Sequence, residues 1–144
     1  MNKRKINYIL GIVIFILLIV LFYPKSRDYF FVYKDIDTNG NTVQILNKSY
    51  QIKSIIVEDE KISGDGYNIF NSKNDILIKL ENTGNEDIKV TIGNKFSDTA
   101  FLLPKNEIRC ILVGGENRNK KSLDFITESG VGEGRYTVYE LEDN

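Results

Sequence analysis

The chain has 144 residues, with 19 basic and 20 acidic side chains, one cysteine and no histidine, so its formal net charge is −1. The absence of histidine removes the commonest general base and metal ligand, which excludes Ser-His-Asp catalysis and histidine-dependent zinc sites. A single cysteine excludes an intramolecular disulfide. No basic cluster is dense enough to predict nucleic-acid binding, and we expect no cofactor.

The N-terminal part contains an uncharged apolar stretch, YILGIVIFILLIVLFY, at Tyr8–Tyr23. A helix over residues 6–24 rises about 1.5 Å per residue and approaches the thickness of a bilayer core, so it is predicted to be a transmembrane signal anchor. Residues 1–5 form a basic tail, predicted to be cytoplasmic, and residues 25–28 a connector. The remaining residues, 29–144, are predicted to form one extracytoplasmic domain.

Cleavage of the apolar stretch is the alternative, since Lys3, Arg4 and Lys5 before an apolar run also characterise a signal peptide. The residues after the run, FYPKSR, contain one small side chain, Ser26, and make a poor cleavage site. The concentration of positive charge before the stretch favours a cytoplasmic N-terminus. The predicted location is therefore the cell membrane, with a single pass and the domain outside.

The rest of the chain has the alternation typical of β-strands separated by turn residues. We predict strands at Tyr29–Tyr33, Thr42–Leu46, Tyr50–Val57, Ile76–Glu81, Ile88–Ile92, Ala100–Leu103, Ile108–Val113, Leu123–Thr127 and Arg135–Leu141. Residues 62–73 are predicted to be a loop with at most a short edge strand.

Two pairs of these strands are predicted to form hairpins. Asn39-Gly40 lies between the first and second apolar runs, and both residues tolerate positive φ, so these runs should pair antiparallel. Asn82-Thr83-Gly84-Asn85 similarly joins Ile76–Glu81 to Ile88–Ile92, which predicts a hairpin with one solvent-exposed face.

About seven to nine short strands without an amphipathic helix indicate an all-β antiparallel sandwich. The LENTGNEDIKVTI segment, the FLLPKNEI connection and the final Gly-x-Tyr-x-Val strand resemble those of bacterial immunoglobulin-like ectodomains. This resemblance covers roughly residues 76–141 and implies an immunoglobulin-like fold. It implies no activity, because that fold carries many functions.

Asp35-x-Asp37-x-Asn39-Gly40 matches the opening half of a calcium-binding loop. The ninth and twelfth positions of that pattern are occupied by Val43 and Leu46, which cannot supply carboxylate ligands. Asp35, Asp37 and Asn39 are therefore a candidate calcium site with half of the ligand set, or the solvated tip of a hairpin.

Other candidate groups favour structural roles. Cys110 alternates with apolar residues on its predicted strand and is expected to be a small buried side chain and not a nucleophile. The acidic run Glu58–Glu60 is expected to be solvated, since neighbouring residues of an extended chain point to opposite faces. The glycines at 130, 132 and 134 precede a strand, whereas phosphate-binding loops precede a helix.

Tyr29, Phe30, Phe31 and Tyr33 place aromatic side chains on both faces of the first strand. Tyr29, Phe31 and Tyr33 are candidate membrane-proximal contacts with lipid headgroups or a partner, while ordinary strand packing is the structural alternative.

No catalytic set emerges, so the sequence predicts a non-enzymatic, single-pass membrane protein whose domain binds another protein or has a structural role in the cell envelope. The alternative is a secreted binding or inhibitor domain without the apolar stretch. A pilin-like subunit is disfavoured because Pro24 ends the helix and no acidic residue precedes Asp28.

Overall fold

The computed structural model describes residues 11–17, 29–94, 97–114 and 120–143. Residues 11–17 are helical, and the other described residues form ten antiparallel strands and the connections between them. They are β1 (Tyr29–Tyr33), β2 (Thr42–Ile45), β3 (Lys48–Ser63), β4 (Gly66–Asn71), β5 (Ile76–Asn82), β6 (Ile88–Asn94), β7 (Ser97–Leu103), β8 (Ile108–Gly114), β9 (Lys120–Thr127) and β10 (Glu133–Asp143).

The strands form two sheets, one of six strands in the order β1-β8-β5-β10-β3-β2 and one of four in the order β4-β9-β6-β7. The prediction of an antiparallel β-sandwich is therefore confirmed. The short edge strand expected within residues 62–73 is β4, which lies at one edge of the four-stranded sheet.

The immunoglobulin-like topology is wrong. From β3 to β10 the chain pairs as one long folded hairpin, in which β3 pairs with β10, β4 with β9, β5 with β8 and β6 with β7. This nested pairing is that of a jelly roll, whereas immunoglobulin sheets contain strands A, B, E, D and C, F, G. Generic strand and turn residues carried the resemblance, and they do not specify which strands are neighbours.

Both predicted hairpins are also wrong. β1 pairs with β8 and β2 with β3, so the first two strands lie at opposite edges of one sheet. β5 belongs to the six-stranded sheet and β6 to the four-stranded sheet. β5 has no solvent-exposed face at Ile76, Leu77 and Ile78, which are all fully buried, while β6 does expose Lys89.

The main core lies between the sheets and is built from alternating side chains of both. Its buried members include Ile78 and Leu80 of β5, Val90 of β6 and Phe125 of β9. The Phe125 ring lies 5.5 Å from that of Tyr136 of β10, measured between centroids, in a tilted arrangement that aromatic pairs favour.

A second, smaller core lies on the outer side of the six-stranded sheet. Residues 34–41, which we call the strap, cross that side from β1 to β2, over about five strand spacings or roughly 24 Å. Nine Cα steps reach at most about 30 Å, so the strap must run nearly extended and cannot turn back at Asn39-Gly40. Its Ile36 packs with Tyr50, Leu77 and Leu112.

Candidate functional site

Four loops meet at one end of the sandwich. In an antiparallel jelly roll, every second connection between consecutive strands lies at the same end. The four loops are residues 64–65, 83–87, 104–107 and 128–132. The backbones of the first and last of these loops are in contact, because the Gly64 N–H donates to the carbonyl of Gly132 at 2.7 Å.

Asn82 is the buried polar residue that organises two of these loops; it is 1% exposed. Its side-chain amide donates to the carbonyls of Glu86 (2.8 Å) and Leu103 (3.1 Å), and its carbonyl accepts the Gly84 N–H (2.9 Å). A buried side-chain amide with these bonds satisfied fixes the loop conformation.

Two carboxylates hold neighbouring loops together. Glu86 accepts the Ser129 N–H at 3.1 Å and also the Ser129 hydroxyl, which links residues 83–87 to residues 128–132. Asp87 accepts the Lys105 N–H at 3.0 Å. These hydrogen bonds therefore fix the orientation of the Glu86 and Asp87 carboxylates at the loop end.

A cleft at this end has a volume of about 550 Å³, within the range of small-molecule sites. Lys89 lines this cleft and has a cross-strand neighbour on either side, Leu102 on β7 and Ile126 on β9. The cleft is lined by Asn85, Glu86, Asp87, Lys89, Leu102, Lys105, Ile126, Thr127 and Glu128.

Leu102, on the edge strand β7, is 56% exposed, and Ile126, on the central strand β9, is 44% exposed. They therefore offer an apolar floor that the fold itself does not cover. Carboxylates, an amide and two ammonium groups surround this floor, so the cleft can both donate and accept hydrogen bonds.

A smaller cleft of about 260 Å³ at the same end is lined by Arg135 and by acidic side chains. Arg135 lies 3.5 Å from the Asp59 carboxylate and 3.4 Å from that of Glu81. These groups are largely exposed and satisfy one another across β3, β10 and β5.

The opposite end is closed by a polar network around Ser72. The Ser72 hydroxyl and the Asn74 amide donate to one Glu140 oxygen at 2.9 and 3.1 Å, while Ser54 donates to the other at 2.9 Å. Although burial acts to raise it, the pKa of Glu140 lies below its ordinary value because these three bonds favour the carboxylate. The buried Lys121 ammonium donates to the Ser72 carbonyl at 3.0 Å.

The candidate calcium residues make other contacts in the structure, and their role as a calcium site remains a prediction. Asp35 lies 3.1 Å from the Lys79 ammonium, and Asp37 accepts the N–H of Asn39 at 3.0 Å. No cluster of acidic, cysteine or histidine residues that could hold a metal occurs within the described ranges. The motif instead lies in the strap, where Asp35 anchors it to the sheet.

The aromatic residues of β1 are divided between different environments. Phe31 is 51% exposed, Tyr33 packs against the second core, and Phe30 packs against the main core. Tyr29 pairs with Gly114 in the β1–β8 register. The contact of Tyr29, Phe31 and Tyr33 with a membrane or partner remains a prediction.

Cys110 is fully buried in the second core, as expected. Burial, outweighing the nearby Lys79, raises the pKa of its thiol to about 11, so the nucleophilic thiolate is scarce at neutral pH. Its sulfur lies 3.9 Å from Asp35.

The acidic run Glu58–Glu60 lies within β3 and does not end it as the sequence suggested. Asp59 has a φ of 44°, and its N–H donates to the Thr137 hydroxyl at 3.1 Å, at a place where the pairing with β10 shifts register. The run is therefore an exposed bulge, which accommodates acidic side chains in a long strand.

The glycine repeat has a packing role in the structure. A Cβ at Gly132 would overlap the Thr127 side chain, and one at Gly134 would overlap the Glu81 carbonyl. The absence of a side chain therefore lets residue 132 pack against the end of β9 and residue 134 against β5.

Reasoning from the sequence missed the cleft because its residues come from β6, β7, β9 and three loops. The available signal was the pair of apolar residues, Leu102 and Ile126, that break the expected alternation by facing outward. Interpreting that signal requires knowing that β6 lies between β7 and β9.

No protein-family model and no curated protein matches the sequence. Among solved structures, a 3,4-ketoisomerase, QdtA, from Thermoanaerobacterium thermosaccharolyticum in complex with TDP-4-keto-6-deoxyglucose is 14% identical, with a TM-score of 0.40 and 80% of each chain covered. A 3,4-ketoisomerase from Helicobacter canadensis is 11% identical, with a TM-score of 0.38, covering 80% of this chain and 84% of that one. The activity of those proteins is not transferred to this chain.

These findings correct the predicted function. Both matched structures are of enzymes, and the predicted non-enzymatic role in the cell envelope is withdrawn together with its secreted alternative; no activity is inferred in its place.

The structure describes only part of the predicted membrane anchor. In the part of the chain that the structure describes, no helix is long and apolar enough to cross a bilayer. Apart from residues 11–17, the predicted helix over 6–24 lies outside the described residues, as do residues 1–5 and 25–28. The membrane as a partner and the cell-membrane location were predicted from that helix, and no spanning helix occurs among the described residues to support them.

Proposed function

We propose that the β-sandwich binds a neutral carbohydrate in the cleft at its loop end. The observation that supports this most directly is the apolar floor of Leu102 and Ile126, exposed within a ring of hydrogen-bonding groups. A sugar ring presents apolar C–H faces and polar hydroxyls together, so it matches a floor and a rim of this kind.

The rim supplies both partners that a hydroxyl needs. Carboxylates of Asp87 and Glu128 accept hydrogen bonds, whereas the Lys89 ammonium and the Asn85 amide donate them. Each sugar hydroxyl can donate to one group and accept from another. Such pairing compensates the loss of water from polar groups when the ligand covers the cleft.

The charge of the cleft favours a neutral ligand. Three carboxylates and two ammonium groups line it, so a phosphate or sulfate would meet a slight excess of negative charge. Glu86 and Asp87 already accept backbone N–H groups, which holds their charge in place.

Binding of neutral oligosaccharides to the full-length chain tests this proposal. A glycan array followed by calorimetric titration should identify a sugar whose affinity falls about tenfold in Lys89→Met and in Glu128→Gln, which is the loss of one hydrogen-bonding group or about 1.4 kcal/mol. The methionine keeps the apolar stem of the lysine and the glutamine keeps the shape of the glutamate.

Lys34→Met and Glu142→Gln are matched controls, because both residues are exposed and lie outside the cleft. They should retain the wild-type affinity. Failure of every neutral sugar to bind, or equal losses in the control variants, would overturn the proposal.

A further inference from the structure

The outer side of the four-stranded sheet, which we call the open face, continues from the cleft floor. Its side chains alternate with the core residues of the same strands, and the large apolar ones include Tyr67, Ile69, Leu102 and Ile126, all substantially exposed. The cleft occupies only the part of this face beside the loop end.

Three strands place hydrogen-bonding groups beside the Tyr67 ring. Tyr67 of β4 is the cross-strand partner of Asp124 on β9, and Asp124 is in turn the partner of Thr91 on β6. Tyr67 is 62% exposed, while Asp124 and Thr91 are half-buried. The row therefore presents an aromatic face, a carboxylate and a hydroxyl in one line across the sheet.

This row and the cleft floor are separated by more than one sugar ring. Leu102 on β7 and Tyr67 on β4 are three strands apart, or about 14 Å, and their rows are offset by two residues, or about 7 Å. A ligand that touches both must therefore extend about 16 Å across the face.

The charged groups along this path include one of each sign. Lys89 and Asp124 occupy neighbouring rows on adjacent strands, so one positive and one negative group border the line between the two subsites. An anionic polymer would meet Asp124 at its centre, whereas hydroxyls can bond to both groups.

From this arrangement we infer that the ligand is a linear neutral oligosaccharide, which occupies the cleft with one end and stacks a later sugar on Tyr67. Asp124 and Thr91 hydrogen-bond that second sugar. The inference rests on the proposed function and adds to it the length of the ligand and a second subsite.

Titration with cello-, malto- and chito-oligosaccharides of one to six units tests the inference. Affinity for the preferred series should rise at least tenfold between one unit and the length that reaches Tyr67. Tyr67→Ala should remove that gain without changing monosaccharide affinity, and Tyr67→Phe, which retains the ring, should preserve it. Asp124→Asn should lower the affinity for the longer sugars only.

The outcomes separate the two proposals. If the cleft variants abolish binding but affinity is independent of length, or Tyr67→Ala binds long sugars normally, the second subsite is wrong and the cleft stands. If no oligosaccharide binds, both fail. Dimerisation of the free protein in sedimentation that Tyr67→Ala abolishes would show that a second copy occupies the face, which would also overturn the inference. Circular dichroism establishes that each variant is folded.

Discussion

The two outer sides of the sandwich are built from strands with similar alternation, but a described segment of the chain covers the apolar residues of one side and not those of the other. On the six-stranded sheet the strap covers apolar side chains, including Leu77 and Leu112, and forms a second core. On the four-stranded sheet no described segment covers Leu102, Ile126 and Tyr67, which remain exposed.

The difference shows how the same strand pattern can serve stability on one side and binding on the other. The strap is fixed by specific bonds: Asp35 pairs with Lys79 at 3.1 Å, and the Tyr139 hydroxyl donates to Thr38 at 3.2 Å. The open face has large apolar side chains that no such described segment covers. Exposed apolar patches of this kind commonly mark interaction sites.

Truncating a leucine on each side should give the largest contrast. Leu77→Ala removes a side chain that is 0% exposed and should lower the free energy of unfolding by about 2–5 kcal/mol. Leu102→Ala, the matched change on the open face, should lower it by less than about 1 kcal/mol. Urea denaturation measures both, and similar losses would mean that the open face is also structural.

Cys110 reports whether the strap stays closed. Because the pKa of its thiol is about 11 and the ordinary value is 9.0, its thiolate fraction at pH 8 should be about a hundredfold below that of an unperturbed thiol. Alkylation by iodoacetamide should be at least that much slower in the native protein than in urea. Comparable rates in the two conditions would show that the second core opens readily.

Removing the charge that anchors the strap should have a moderate effect. Asp35→Asn loses a partly exposed ion pair and should cost about 0.5–1 kcal/mol of unfolding free energy. Burial acts to lower the pKa of Lys79, but the Asp35 carboxylate outweighs it, so the pKa is raised. The stabilisation is therefore fully present below pH 10.5, the ordinary lysine pKa, and is lost as pH rises through the higher folded value.

Wild-type and Asp35→Asn stabilities should thus converge at strongly alkaline pH. A difference in unfolding free energy between the two proteins that stays constant into strongly alkaline pH would contradict the assigned role of the Asp35–Lys79 pair. Asp37→Asn is the control, because that carboxylate bonds only within the strap and makes no described ion pair.

The smallest effect is expected for polar changes on the open face. Ile126→Thr should alter the unfolding free energy by no more than about 0.5 kcal/mol, since the side chain is already exposed. The same variant should weaken carbohydrate binding severalfold by removing part of the apolar floor. Loss of stability without loss of carbohydrate binding would show that Ile126 has a structural role and is not part of the binding site.

Sequence patterns predicted the sandwich because strand alternation is local, as at Ile88–Ile92. They did not predict the jelly roll, because the partner of each strand is set by distant residues: Tyr136 lies opposite Leu80 on one side and Glu60 on the other. Asn39-Gly40 shows the limit clearly. Its turn chemistry is local, whereas the distance from β1 to β2 requires an extended strap.

The candidate site was harder to predict than the fold for the same reason. Burial of Cys110 could be inferred from its apolar neighbours on β8. The association of Lys89, Leu102 and Ile126 depends on the order β9-β6-β7, and nothing in the three separate segments indicates it.

Backbone amide shift mapping by NMR tests the central claim most directly. Titrating the isotope-labelled full-length chain with the preferred neutral oligosaccharide should shift the amides of Lys89, Leu102 and Ile126 first, and then that of Tyr67 with longer sugars. Amides of the strap and of Leu77 should remain unchanged. Shifts concentrated on the strap side, or no shifts at millimolar sugar, would contradict the assignment of the open face as the binding side.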